Sequence, residues 1–294
     1  LTNHVSHTWK RRKRTRRTHH GKISRKSFVK GALGLGAVGI LAGCASSASS
    51  TAASASSTAA PAEKKEFTFA DTVRWDAQYD VVVMGMGAAG MVAAKTAADN
   101  GAKVVIVEKC EEGKAGGNTK VCGQLFAYAN GDKDAAKSYY TALAGGRDIE
   151  PEIIDAISEG VANMADILAD EFGFNKDEYM DWTGVNVVGT NMGAMSPEYP
   201  EMPGHEKMAL WTTHAGASDG YLYQGLKQNV TDRVDAIDVW YSSPAKSLIQ
   251  DPVTKTVVGV TVERDGKEMN IRALNGVCIC TGGFECNRRW CSTT

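Results

Sequence analysis

The sequence predicts an α/β fold in which a parallel sheet is followed by a β-meander. Residues 79–84 and 103–108 are short apolar runs, typical of buried parallel strands. The Ala-rich stretch between them, residues 88–99, ends at Asn100 and Gly101, as expected of a helix with a glycine stop. Late in the chain, three β-rich segments separated by turn residues predict the meander, over residues 245–250, 256–264 and 268–273.

Two helices are expected after this strand–helix–strand unit, at about residues 134–143 and 151–173. In the longer one, apolar residues recur at helical spacing, Pro151 suits the first turn and Gly173 suits the C-terminal stop. The simplest interpretation of this helix is that it packs against the core.

A further helix is expected at about residues 220–230, followed by a strand at 237–241. Residues 276–280 form a last apolar strand, separate from the meander. Its two cysteines, Cys278 and Cys280, are predicted to be small hydrophobic residues on one face of the strand, and no metal site is expected.

Residues 174–219 show little periodicity and are predicted to be a long loop region, which in compact enzymes is often functional. His205 and His214 are the only histidines after residue 20. Either could be a catalytic acid, although a lone histidine is more often structural.

Charge is segregated along the chain, although the formal net charge is only −1. Eleven Lys and Arg lie between Lys10 and Lys30, and no acidic residue precedes Glu63, so the remainder carries 22 basic against 34 acidic residues. An acidic body argues against nucleic acid as a partner.

Residues 1–44 are expected to be an export signal. A basic stretch precedes an apolar, Gly-rich run from residue 31 to 43, which is too short to span a bilayer. Residues 41–44, Leu-Ala-Gly-Cys, resemble a bacterial lipobox, which implies membrane attachment by lipid at Cys44. The segment around Arg25 resembles a twin-arginine signal with Lys26 as the second residue; an ordinary secretory signal with a chance cysteine is the alternative.

The Ser/Ala-rich tract at residues 45–62 is expected to be a flexible tether, because such a composition cannot bury a core. Residues 63–294 would then be the folded body, with a helical and loop insertion at about 130–220. Together these features predict an exported lipoprotein on the outer face of the cytoplasmic membrane.

Residues 85–90, Gly-Met-Gly-Ala-Ala-Gly, predict a dinucleotide site, because the loop follows a strand and opens a helix. The helix N-terminus offers free N–H groups and a positive dipole end to a pyrophosphate. Glu108 closes the second strand and could accept hydrogen bonds from ribose hydroxyls, which argues against a 2′-phosphate. The candidate contacts of this first segment are Gly85, Gly87, Ala88, Ala89, Gly90, Glu108 and Lys109.

Two further motifs carry a family resemblance. Residues 116–123, Gly-Gly-Asn-Thr-Lys-Val-Cys-Gly, follow the second strand, and residues 281–285, Thr-Gly-Gly-Phe-Glu, follow the last one. With the glycine loop, they resemble the flavoprotein subunits of the fumarate reductase and succinate dehydrogenase family. The similarity is closer to the secreted bacterial branch, which includes flavocytochrome fumarate reductases, and extends over roughly residues 77–290.

The resemblance implies a glutathione-reductase-like FAD-binding domain, incomplete in this chain. Segment 116–123 would lie near the pyrophosphate and isoalloxazine, Ala245 near the adenine, and segment 281–282 on the flavin side of the sheet. The residues so implicated are Gly116, Gly117, Asn118, Thr119, Gly123, Ala245, Thr281 and Gly282. Relatives with covalent flavin carry a His in the segment matched by Asn118 and Thr119, so non-covalent FAD is expected.

The resemblance also implies hydride transfer from flavin N5 to the C=C bond of an α,β-unsaturated carboxylate, with electrons from a donor protein or membrane redox partner. The family's catalytic Arg and His residues are expected beyond residue 294, so no catalytic residue is assigned. Two alternatives remain open: a truncated, non-catalytic FAD-binding lipoprotein, and an NAD-dependent dehydrogenase.

Overall fold

The computed structural model describes residues 67–183, 198–215 and 219–283. The expected export signal, the lipobox at Cys44 and the tether at 45–62 lie outside these residues, as do Phe284 and Glu285 of the last motif. Within them, no helix is both long and apolar enough to cross a bilayer.

A six-stranded sheet forms the centre of the fold. Its members are β1 (Ala77–Met84), β2 (Val104–Val107), β6 (Ile237–Trp240), β7 (Ala245–Gln250), β8 (Val257–Arg264) and β9 (Lys267–Ile279). They lie in the order β6-β2-β1-β9-β8-β7. Strands β6, β2, β1 and β9 are paired parallel to one another. Strands β7, β8 and the start of β9 are paired antiparallel and form the meander.

Strand β9 joins the parallel part of the sheet to the meander. Its first half pairs antiparallel with β8, and it runs parallel to β1 from Ile271 to Ile279. The expectation of two separate strands, 268–273 and 276–280, is therefore wrong. A register shift opposite β1, between Ala273 and Gly276, interrupts the apolar pattern without ending the strand.

The described residues contain five α-helices. They are α1 (Ala88–Asp99), α2 (Gly117–Val121), α3 (Lys133–Leu143), α4 (Pro151–Phe172) and α5 (Tyr221–Thr231). Helices α1, α3, α4 and α5 confirm the sequence prediction, with Pro151 in the first turn of α4 and Gly173 at its C-cap. The one-turn helix α2 was not expected.

Side chains from alternate positions of the strands fill two cores. Val83, Val104 and Ile106 face one side, where they pack against Met91 of α1 and Leu226 of α5. The other side buries a second cluster, formed by strands alone: Tyr79, Val82, Val105, Val107, Val260, Val262, Ile271 and Ala273. Both faces of β1 and β2 are thus buried, which explains their uninterrupted apolar sequence.

A small antiparallel sheet includes two strands from the region expected to be loop. It contains β3 (Leu125–Tyr128), β4 (Met180–Asp181) and β5 (Ala209–Thr212), in the order β3-β5-β4. The prediction of a long loop region over 174–219 is therefore wrong for β4 and β5. These strands have two and four residues, too few to show an alternating pattern in the sequence.

Helix α5 packs against the end of α4 through a glycine. A Cβ built on Gly225 would overlap the ring of Phe174, whereas one on Gly160 of α4 would meet nothing within 4 Å. We therefore expect Gly225→Ala to destabilise the protein by about 1–3 kcal/mol through overpacking. The matched change Gly160→Ala should instead stabilise it by about 0.5–1 kcal/mol, since it only improves helix propensity.

Urea unfolding followed by circular dichroism measures both changes. Equal midpoints for the two variants would contradict the close packing of α5 on Phe174.

Candidate cofactor site

The four parallel strands β6, β2, β1 and β9 all end at one edge of the sheet. In open α/β sheets, ligands bind in the crevice outside the carboxyl ends of the strands. The glycine loop follows β1, Glu108 follows β2, and Thr281 follows β9 closely. Three segments that are far apart in the sequence, each predicted to contact the cofactor, therefore meet at one edge of the sheet.

Two glycines of the loop are required by close backbone approach. Gly85 has φ +100°, and a Cβ there would lie 2.5 Å from the carbonyl oxygen of Cys280. A Cβ on Gly90 would overlap the carbonyl oxygen of Gly85. The first glycine thus permits the turn beside β9, and the second lets α1 begin directly against that turn.

Gly87 has no such structural reason to be glycine. Its φ of −78° suits any residue, and a Cβ would meet only the Thr119 hydroxyl at 3.7 Å and the Gly116 carbonyl at 3.9 Å. These are ordinary contact distances. Room for a ligand is the remaining reason for glycine at this position.

The start of α1 presents unpaired amides at this edge. Among the described residues, the N–H groups of Gly87, Ala89 and Gly90 have no acceptor, as is usual in the first turn of a helix. A pyrophosphate would supply acceptors and would be favoured by the helix dipole. The residues present therefore fit a dinucleotide cofactor.

Glu108 fixes the loop to β2. It is buried, and its Oε2 and Oε1 accept hydrogen bonds from the backbone N–H groups of Met86, at 2.8 Å, and Cys110, at 2.9 Å. A carboxylate has about four lone-pair sites, so acceptor capacity for a ribose hydroxyl remains. The neighbouring Lys109 is exposed.

Helix α2 brings the second motif against the start of α1. The Thr119 hydroxyl accepts a hydrogen bond from the Ala88 N–H at 3.0 Å. Gly116 has φ +118° and lies so close to Tyr223 of α5 that a Cβ would be 2.5 Å from the ring. Gly117 and Asn118 are exposed, and Gly123 is half-buried beside Leu125.

The predicted contacts at the end of the sheet also adjoin the loop. Cys280 donates its backbone N–H to the Met84 carbonyl at 2.9 Å, so Thr281 and Gly282 continue from a position beside Gly85. Ala245 begins β7 and packs against the second core cluster.

The chain between β6 and β7 runs along the end of β2. Ser243 donates its backbone N–H to the Glu108 carbonyl, and Ser242 donates to that of Cys110. These contacts connect the Ala245 segment with Glu108.

A buried polar residue that the sequence analysis missed lies directly after the second motif. Gln124 is fully buried, with its Nε2 donating to the carbonyls of Thr119 and Cys122 and its Oε1 accepting from the Leu222 N–H. Its φ of +62° is unusual for a non-glycine residue. A polar residue after a glycine gives no such signal in the sequence.

His214 follows β5 and contacts Asp219, which lies just before α5. Its Nε2 is 2.7 Å from Asp219 Oδ2, and its ring stacks on Tyr221 with centroids 4.1 Å apart. Its Nδ1, like Trp211 Nε1 and Thr213 Oγ1, is buried and has no hydrogen-bond partner among the described residues. We call Trp211, Thr213, His214 and Asp219 the β5 recess.

His205 has a different environment. Its Nδ1 lies 2.8 Å from the Met202 carbonyl in a short 3₁₀ helix, which gives this ring a local structural contact. In the described residues, no group of three His, Cys, Asp or Glu side chains could hold a metal ion. Burial raises the pKa of the Cys278 and Cys280 thiols, consistent with packing rather than reactivity.

Comparison with known proteins agrees with a flavin site. A family model described as FAD binding domain matches residues 80–293. NADH:fumarate oxidoreductase of Klebsiella pneumoniae is 29% identical over 218 residues, covering 71% of this chain and 21% of that protein. Digoxin reductase of Eggerthella lenta is 41% identical over 105 residues, covering 34% of this chain and 18% of that protein.

A solved structure shares the fold. The crystal structure of 3-ketosteroid Δ1-dehydrogenase from Sterolibacterium denitrificans matches with a TM-score of 0.58 at 20% identity, over 74% of this chain and 50% of that one. The chain thus spans about a fifth of each of the two curated relatives and half of the solved structure.

The glycine loop offers a test that separates binding from folding. We expect Gly87→Ala to leave the melting temperature unchanged but to weaken FAD binding by about tenfold or more, because its Cβ enters the space left for the ligand. Gly90→Ala should destabilise the protein, since its Cβ overlaps the Gly85 carbonyl. Gly160→Ala is the control that should keep FAD affinity.

Fluorescence titration with FAD and thermal melting measure the two properties for each variant. Full FAD affinity in Gly87→Ala would show that the cofactor does not approach this glycine.

Proposed function

Because this chain belongs to the FAD binding domain family, we propose that its protein is an FAD-dependent oxidoreductase that reduces the C=C bond of an α,β-unsaturated carboxylate. The observation that carries this proposal is the meeting of three cofactor segments at the carboxyl edge of the sheet. The choice of reaction rests on the similarity to NADH:fumarate oxidoreductase over 218 residues. The alternative of an NAD-dependent dehydrogenase receives no support from the family match.

FAD, when bound, supplies the hydride that is transferred to carbon. The residues of this chain hold and orient it: the unpaired amides at the start of α1 would bind the pyrophosphate, and Glu108 would accept from the ribose. Thr281 and Gly282 continue from β9 beside Gly85, where the flavin end of the cofactor would lie. Asn118 and Thr119 cannot form the histidyl bond of covalent relatives, so the flavin is held without a covalent link.

The β5 recess is the candidate contact surface for the substrate. Within the part of the chain that the structure describes, Trp211 Nε1 and Thr213 Oγ1 are hydrogen-bond donors without an acceptor. An unpaired buried donor is costly unless a ligand supplies an acceptor. Asp219 holds His214 at Nε2, which leaves Nδ1 for a ligand. The Trp211 and Thr213 donors would match a substrate carboxylate or carbonyl oxygen, and the imidazolium form of His214 would add a third donor at Nδ1.

The recess lies close to the cofactor segments. A Cβ on Gly220, next to Asp219, would be 3.4 Å from the Lys120 carbonyl of α2. A substrate in the recess would therefore be near the end of the cofactor that α2 contacts.

For the whole protein, we propose export and attachment to the outer face of the cytoplasmic membrane through lipid at Cys44. Residues 1–62 carry this proposal by their composition: a basic start, a short apolar run and a Ser/Ala-rich tether. A reductase placed there needs electrons from a donor protein or membrane redox partner. Loss of membrane association in Cys44→Ala, measured by cell fractionation, is the expected result.

Reoxidation of reduced flavin tests the reaction directly. In the full-length protein with FAD reduced anaerobically, we expect fumarate or a related unsaturated acid to restore the oxidised flavin absorption band. Acid precipitation beforehand should release all flavin into the supernatant, as expected for a non-covalent cofactor.

Three other outcomes would contradict the proposal. Reoxidation by a 3-oxo-4-ene steroid and not by unsaturated acids would show that the substrate is a steroid enone and not an unsaturated carboxylate. Bound flavin that no unsaturated compound reoxidises would support the non-catalytic lipoprotein. Protein that binds no flavin would contradict the cofactor itself.

Substitution of His214 tests the recess. We expect His214→Gln to raise the KM for the unsaturated acid by about tenfold, because a ligand contact is lost, with FAD affinity unchanged. His205→Gln is the matched control, since the recorded contacts of that ring are local, with the Met202 carbonyl and the Glu206 carboxylate. Equal KM values in steady-state kinetics of both variants and the wild type would exclude His214 from the substrate site.

A further inference from the structure

We propose that Gln124 is a positioning residue that couples the cofactor segments to the β5 recess. This inference rests on the proposed function in one respect only, namely that the β5 recess is the substrate site. Its tests use FAD binding and a spectroscopic signal, so they give an answer even if no unsaturated acid is reduced.

The backbone conformation at Gln124 favours glycine over glutamine. A φ of +62° is the left-handed conformation that glycine adopts without strain, and Gly123 stands one residue before it. A glutamine persists in such a conformation when surrounding contacts hold it there. Here the side chain is fully buried and makes three hydrogen bonds to backbone groups.

These three bonds connect two elements that each serve a different part of the site. The Nε2 group donates to Thr119 O at 3.0 Å and Cys122 O at 2.9 Å, which fixes the C-terminal end of α2. The Oε1 atom accepts from the Leu222 N–H at 3.1 Å, in the first turn of α5. Only a side chain with both a donor and an acceptor can make this set, and glutamine has both.

On the cofactor side, the connection continues through Thr119. Its carbonyl is held by Gln124, and its hydroxyl accepts the N–H of Ala88 in the first turn of α1. A pyrophosphate bound at the start of α1 would therefore contact a turn that Gln124 helps to position.

On the recess side, the connection continues through the start of α5. Leu222 follows Tyr221, whose ring stacks on His214. The backbone N–H of Tyr221 donates a hydrogen bond to Asp219 Oδ1 at 3.0 Å, which fixes the position of Tyr221 relative to Asp219. Asp219 in turn holds His214. A shift of Leu222 would thus move both groups that orient the imidazole.

Two substitutions distinguish the effect of the Gln124 side chain from the effect of its strained backbone. Gln124→Gly relieves the left-handed strain and removes all three hydrogen bonds. Gln124→Glu keeps an acceptor for Leu222 but replaces the donor with a carboxylate that faces two carbonyls. Asn130→Gly is the matched control, because Asn130 also has positive φ, at +50°, and donates to the backbone carbonyl of Lys207 outside the site.

If Gln124 positions the cofactor segments, both variants should bind FAD about tenfold or more weakly, even though Gln124→Gly removes strain. Asn130→Gly should bind FAD like the wild type. Thermal melting accompanies each titration, so that a general loss of stability is recognised. Wild-type FAD affinity in Gln124→Gly would overturn the proposal, since it would mean that only the turn conformation matters.

The coupling itself is measured by NMR of the histidine rings, with the His214 signal identified by its loss in His214→Gln. In the wild type, we expect saturation with FAD to shift the His214 signal. In Gln124→Gly at saturating FAD, the shift should fall by half or more, whereas Asn130→Gly should keep it. A shift of unchanged size in Gln124→Gly, or none in the wild type, would overturn the coupling.

Discussion

The contact between Gly90 and the carbonyl oxygen of Gly85 determines how α1 leaves the sheet, and the rest of the site depends on it. No side chain fits between these two residues, so the helix begins directly at the carboxyl end of β1. The first amides of α1 then face the edge where β2, β6 and β9 also end. Glu108 holds the loop in this position by accepting the Met86 N–H.

Around this contact, the site is formed mainly by close packing of backbone segments, and charged side chains contribute less. Gly85 lies against Cys280, Gly116 against Tyr223, and Thr119 against the first turn of α1. Close backbone packing leaves peptide N–H groups as the groups that a cofactor meets, which suits a pyrophosphate. Strand β9 brings the late part of the chain into the same site, because it runs parallel to β1 and ends beside Gly85.

Local sequence patterns were sufficient for the elements that are long or buried on both faces. The apolar runs of β1 and β2, the glycine loop between them and the periodic helix α4 could each be predicted from their own residues. The different roles of two glycines become visible only in the packing. Gly87 leaves room for a ligand, whereas Gly90 is required by the fold itself.

The rest depends on contacts between residues far apart in the sequence. Strands β4 and β5 are too short for a pattern, and they form by pairing: β5 pairs with β3, and β4 pairs with β5. Gln124 meets Leu222 across 98 positions, so nothing near it in the sequence indicates its role. The pairing of His214 with Asp219 is local, but the burial of its Nδ1 with that of Trp211 and Thr213 follows from the fold.

A crystal structure of the protein with FAD tests the central claim most directly. The site described above predicts pyrophosphate oxygens within about 2.7–3.2 Å of backbone nitrogens in the first turn of α1. It also predicts the ribose at Glu108 and the flavin end toward Thr281 and Gly282. A pyrophosphate bound away from α1, or a flavin on another edge of the sheet, would contradict it.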